Sequence, residues 1–258
     1  MNFQKTSFLQ LIVLALLLSV IAQMIHESGH LLVYQAYERE PVWGFIGLVQ
    51  LWDKPPLQPT AWVETSSPDG QKGWLRLASP ANSKLEELLE AAGGPLASLL
   101  AAILGLLLLR QSRELATRQA GLMLSLTSSL AMSLYYLRSP FRVGGDEYSM
   151  ALKLSLAKAE IEVPLAIAFI TCLLWGFHEL KTGKIRLKWL AAILLGSIPA
   201  GLALNLMDAV VRSQVNQGDP LFLPVFGFSF PVLVVDSLCL FGVWLWWRSL
   251  QKTITRPR

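Results

Sequence analysis

Long apolar runs separated by short polar clusters set the pattern of this chain. Six stretches, 8–34, 93–110, 118–138, 163–180, 187–211 and 230–248, are apolar over enough residues to predict membrane-spanning helices. Between the first two lies a connection of about 55 residues, long enough to imply a function beyond joining helices. Its first part, residues 42–52, is mostly apolar and bracketed by Pro41 and Pro55-Pro56, so it is expected to re-enter the membrane or lie along its surface. Next come Thr60-Ala61-Trp62-Val63-Glu64-Thr65, then Ser67-Pro68-Asp69-Gly70, then Gly73-Trp74-Leu75-Arg76-Leu77. That order predicts strand, turn and strand, a β-hairpin whose edge offers a place for an extended peptide. Ser83 followed by Glu86 is a capping-box pattern and predicts a short amphipathic helix to Ala92, with Gly93-Gly94-Pro95 opening the second span.

The predicted fold is therefore an all-α polytopic membrane protein of about six transmembrane helices, with a β-hairpin or re-entrant segment between the first and second. Composition agrees: 53% of residues are hydrophobic and only 16% charged, against about 25% charged in soluble domains. Residues 1–258 read as a single membrane domain, with 1–150 carrying the candidate chemistry and 151–258 forming accessory helices. Cys172 and Cys239 fall inside predicted spans, which excludes a disulfide framework and a cysteine-based zinc site. The net charge of +4 carries topology rather than a nucleic-acid footprint, so no nucleic-acid partner is expected. Six spans put both termini on one side. Arg110, Arg113, Arg118, Lys181, Lys184, Arg186, Lys188 and Arg248 share that side, which is expected to be cytoplasmic. Trp244, Trp246 and Trp247 before Arg248 predict an aromatic belt there.

One motif changes the picture from architecture to chemistry. His26-Glu27-Ser28-Gly29-His30 ends the first apolar run, and the chain has only three histidines. Positions i and i+4 share a helix face, so His26 and His30 can hold one metal ion together. Glu27 projects about 100° around the axis, beside the metal's open position, where it can act as a general base. A chance H-E-x-x-H match in this chain is on the order of one in 600, and ionisable groups in lipid are costly enough to signal function. The residues thus point to hydrolysis assisted by one Zn2+ per chain, at or within the bilayer. The run is read as a span rather than as a cleaved leader ending near Val20-Ile21-Ala22.

A catalytic zinc takes three protein ligands, so one remains to be found. Asp146 is the first candidate: it follows Pro140, Gly144 and Gly145, which end the third helix and allow a close-approaching backbone. Asp146-Glu147 also reads as the acidic first turn of an interfacial helix through Met150 and Leu154. Glu147, Asp208 and Asp236 are alternative ligands on the same face, and Asn205 with Asp208 forms an i,i+3 pair suited to supporting a ligand or an oxyanion. His178 lies toward the other face and is not expected to bind the metal.

H-E-x-G-H on the first helix, Gly93-Gly94-Pro95 on the second and a Pro-then-Asp segment after the third resemble the site-2 protease family of intramembrane zinc metalloproteases. The resemblance covers residues 11–148. That family shows Asn-x-x-Pro leading to Leu-Asp-Gly. Here the corresponding residues are Leu137-Arg138-Ser139-Pro140 and Gly145-Asp146-Glu147, lacking the Asn and the Gly after Asp146. The resemblance implies that the hairpin region presents a substrate strand to the zinc, and that the substrate is a helix of another membrane protein. Two other classes stay open: a catalytically silent relative that binds membrane helices as a regulator, and a metal or ion transporter.

Overall fold

The computed structural model describes residues 6–39, 41–50, 63–66, 72–75, 83–141 and 144–255. Seven α-helices carry the architecture: α1 (Phe8–Ala36), α2 (Lys84–Gln111), α3 (Leu115–Arg138), α4 (Asp146–Leu154), α5 (Lys158–His178), α6 (Gly183–Gln217) and α7 (Phe230–Thr255). All except α4 are long and apolar enough to cross a membrane. This is a multi-pass helical bundle, as the hydrophobic pattern predicts. A 3-10 turn, Ser139–Phe141, joins α3 to the loop before α4.

α1 starts where Ser7 caps it: the Ser7 hydroxyl accepts from the Gln10 amide, and the Gln10 side chain returns to the Ser7 amide, a full capping box. Its first half belongs to a core built from Leu11, Leu14 and Leu18 with residues of α2, α3, α5, α6 and α7, including the fully buried Trp189. Its second half packs in another core, with Ala200 and Leu204 of α6 and Val232 and Cys239 of α7. α1 is thus the central post, and its C-terminal half reaches the site between α2 and α6.

Four very short strands lie over that end. β1 (Val42–Trp43) pairs antiparallel with β2 (Leu48–Gln50) and parallel with β6 (Phe228–Ser229), which pairs with β5 (Pro224–Val225), giving the order β2-β1-β6-β5. Residues 42–50 therefore form a small hairpin buried against α6 and α7, with Val42, Trp43, Phe45 and Val49 all in the core. The β-hairpin expected nearby is present as β3 (Val63–Ser66) and β4 (Lys72–Leu75), with Val63 opposite Leu75. Its turn, 67–70, and the expected strand residues 60–62, 76 and 77 lie outside the described residues, as do 51–56.

Two expectations are corrected. Ser83 does cap a helix, its hydroxyl accepting from the Glu86 amide, but the helix does not stop at Ala92: α2 runs unbroken through Gly93, Gly94 and Pro95. The glycines serve packing rather than a break. A Cβ on Gly93 would run into the Gly29 carbonyl and lie 3.0 Å from the His30 amide nitrogen; a Cβ on Gly29 would strike the Gly93 carbonyl and sit 2.6 Å from Ala97 Cβ. The backbones of α1 and α2 touch here, as small residues permit between helices in lipid. The three tryptophans near Arg248 do not form one belt, because consecutive helix positions diverge by about 100°. Trp244 faces outward under the Arg248 guanidinium, whereas Trp246 is buried and donates to the Gln10 carbonyl at 3.1 Å.

Gly29→Val forces the two helices apart and should cost about 1–3 kcal/mol, seen as a lowered thermal midpoint in detergent. An unchanged midpoint would contradict the backbone contact.

Candidate functional site

Three side chains converge in the space left by Gly94. His26 and His30 project from one face of α1, one turn apart, and Asp146 reaches them from the first residue of α4. His26 Nε2 and His30 Nε2 are 3.3 Å apart. Asp146 Oδ2 is 3.5 Å from the former and 3.4 Å from the latter. A Cβ on Gly94 would sit 2.6 Å from His26 Nε2 and collide with His30 Nε2, so a glycine is required opposite the pair.

Hydrogen bonds on the far side of each ring orient it. His30 Nδ1 lies 2.5 Å from the Glu90 carbonyl, which can only accept; that nitrogen therefore carries the hydrogen. Its Nε2, in the neutral ring, is then a bare lone pair aimed at Asp146. His26 Nδ1 meets Ser98 Oγ at 2.9 Å. His30 Nε2, His26 Nε2 and the Asp146 oxygen thus face one another, and either a hydrogen on His26 Nε2 or a cation can bridge them. Burial alone would raise the Asp146 carboxyl; when the facing imidazoles are protonated, the charge of His30 and hydrogen bonds from both rings more than offset it and hold it below the usual carboxylate range.

The donors suit a metal by distance as well as by type. Zinc bonds of about 2.0–2.1 Å at tetrahedral angles place neighbouring ligand atoms about 3.3–3.4 Å apart. The observed edges of 3.3, 3.4 and 3.5 Å are compatible with such a spacing. Among the described residues, these three form the one group of histidine and acid side chains close enough to share an ion.

Glu27 is buried beside the pair, 3% exposed, and both of its oxygens are engaged. Gln23 Nε2 donates to Oε1 at 2.7 Å and Trp43 Nε1 to Oε2 at 2.6 Å. The Trp43 ring also stacks on His30, centroids 5.9 Å apart and planes 16° from parallel. Trp43 thus touches both the candidate base and a candidate ligand. It is in turn fixed by its amide, which donates to the Gly227 carbonyl at 2.7 Å.

The other acids go elsewhere. A helix does run from Asp146 to Leu154, and Asp146 lies close to both histidines, because Gly144 and Gly145, at φ +117° and +98°, turn the chain so that α4 begins beside them. Glu147 points away from it, accepting from Tyr135 Oη at 2.9 Å and from Ser139 Oγ. Asp208 takes no part either: its oxygens accept from Arg212 Nε at 2.6 Å and from the Ile46 amide at 2.9 Å. Arg212 extends that clamp to the Leu48 carbonyl at 3.1 Å and the Ile46 carbonyl at 2.5 Å, locking the turn between β1 and β2. Asn205 faces outward and donates to the Gly201 carbonyl at 2.7 Å, so it does not share the role of Asp208. Asp236 is buried on α7 with no hydrogen-bond partner among the described residues and stands apart from the triad.

Sequence reasoning missed Trp43, Gln23, Ser98 and the Glu90 carbonyl. Ser98 carried a signal: it is the lone hydroxyl in the apolar stretch 91–109, one turn after Gly94. No protein-family model, curated protein or solved structure matches the chain.

Trp43→Phe keeps the ring but strips a buried carboxylate oxygen of its donor. The expected loss is about 1.5–3 kcal/mol, read from thermal unfolding in detergent. Wild-type stability in that variant would show that the indole does not hold Glu27.

Proposed function

We propose that this protein is an intramembrane zinc metalloprotease, hydrolysing peptide bonds in or near transmembrane segments of other membrane proteins. The observation that carries the reading is the near-equilateral triangle of His26 Nε2, His30 Nε2 and Asp146 Oδ2 with a buried carboxylate, Glu27, beside it. His26, His30 and Asp146 are the ligands in this proposal. Zinc bound there supplies a Lewis acid that lowers the pKa of a coordinated water toward about 7 and polarises a peptide carbonyl.

The chain's own groups do the rest. Glu27 accepts the proton and later returns it to the leaving amine. Gln23 and Trp43 hold its carboxylate in one orientation, and the Glu90 carbonyl and Ser98 hold the two imidazoles with Nε2 inward. A substrate helix must unwind to react, since its carbonyls are hydrogen-bonded and shielded. The strands above the site suit a segment in extended form. Arg110, Arg113, Arg118, Lys181, Lys184, Arg186 and Lys188 lie at helix ends on the side away from the triad, which supports a reading with that side cytoplasmic and the site toward the opposite face.

Purified wild type should carry about one zinc per chain and Asp146→Ala clearly less. With single-span proteins in liposomes and fragments read by mass spectrometry, Glu27→Gln should keep the metal and lower cleavage by about 10²–10⁴-fold. Cleavage at the wild-type rate in that variant would remove Glu27 as the base. Zinc binding with no cleavage by wild type, and equal capture of membrane helices by Glu27→Gln, would favour a silent, helix-binding protein instead.

A further inference from the structure

The neighbour of Asp146 has different contacts. Glu147 is 1% exposed, among the most buried acids of the described residues. Tyr135 Oη near the end of α3 donates to Oε2 at 2.9 Å, Ser139 Oγ of the 3-10 turn donates to Oε1, and Lys158 Nζ of the first turn of α5 is 3.4 Å from Oε1. Lys158 also donates to the Ser139 carbonyl at 2.8 Å. One carboxylate therefore ties together the end of α3, the start of α4 and the start of α5. Gly145 completes the arrangement: a Cβ there would collide with Tyr135 Oη and lie 2.8 Å from both Glu147 oxygens. With φ at +98°, Gly145 turns the chain while leaving room for the Glu147 side chain to fold back beneath it.

A buried charge with this many donors is a rigid joint, and Asp146 is covalently next to it. Among the described residues, no hydrogen bond from the Asp146 backbone to α1 is seen, so its approach to the histidines depends on where the first turn of α4 is held. The opposite end of α4 is pinned through the ion pair of Lys153 with Glu87 of α2. We infer that Glu147, caged by Tyr135, Ser139 and Lys158, is a positioning residue that holds Asp146 at the distance a metal ion requires. In this assignment two adjacent carboxylates divide the work: one binds the ion and the other fixes the first. The accessory helix α5 then takes part in the metal site through Lys158. The inference rests on the zinc reading above.

The test compares zinc dissociation constants, by chelator competition in detergent, and the visible spectrum of the cobalt-substituted protein. Glu147→Ala and the milder Tyr135→Phe/Ser139→Ala pair are both needed, since the first removes the whole joint between α3, α4 and α5 and its loss of affinity alone would not separate positioning from misfolding. Expected in the milder pair is a loss of about 10–100-fold in zinc affinity and an altered cobalt spectrum, both larger than the fall in its metal-free thermal midpoint accounts for. Lys158→Arg should retain most of the affinity that Lys158→Met loses. Wild-type affinity and spectrum in the milder pair, or affinity lost only in proportion to a fallen metal-free midpoint, would overturn the positioning role. Wild type that binds no zinc would instead overturn the metalloprotease reading, and this inference with it.

Discussion

The contact on which the site depends is between two backbones. Gly29 of α1 and Gly93 of α2 leave no side chain between the helices, and that closeness brings the α2 surface within reach of the histidines. Three consequences follow from one approach. The Glu90 carbonyl reaches His30, Ser98 reaches His26, and Gly94 leaves the hollow into which both Nε2 atoms point. In a bilayer, where lipid is as apolar as leucine, such packing and the polar bonds it permits hold helices together in place of a hydrophobic driving force. The same feature that joins α1 to α2 therefore also orients the two imidazoles.

Around this contact, buried polar groups are used as fixings, each tying a different element to the site. Trp43 couples the β1–β6 pairing to Glu27 and His30. Arg212 and Asp208 hold the turn that follows Trp43, so α6 supports the candidate base at one remove. A further buried pair, Arg39 with Glu86 at 3.1 Å, closes the end of α1 onto the start of α2 one turn from Glu90. Buried ion pairs add little net stability, because desolvation offsets their attraction, but breaking one leaves a costly lone charge. Their value here is in geometry: they forbid small displacements of the elements that carry the site.

Much of this was legible in the chain, and the limits have physical causes. The six spans and the H-E-x-x-H pair follow from local periodicity, since apolar length and i,i+4 spacing need no knowledge of the tertiary fold. Asp146 was legible as a candidate through its glycines. Its separation from Glu147 was not, because the direction of two adjacent side chains turned on the positive φ of Gly144 and Gly145. Gly93-Gly94-Pro95 looked like a break, for glycine in a helix is unfavourable by propensity; here close packing overrode propensity and the helix continued. Trp43 sat in a segment read as re-entrant or surface-bound. Its role came from a parallel pairing with residues almost two hundred positions away, which no local pattern encodes.

The central claim is that two imidazole nitrogens and one carboxylate oxygen form a single metal centre. X-ray absorption at the zinc edge of the purified protein tests it most directly. The account predicts four light-atom ligands at about 2.0–2.1 Å with the multiple-scattering pattern of two imidazoles and no sulfur. A six-coordinate shell of oxygens, a sulfur ligand, or a signal with no imidazole pattern would contradict it.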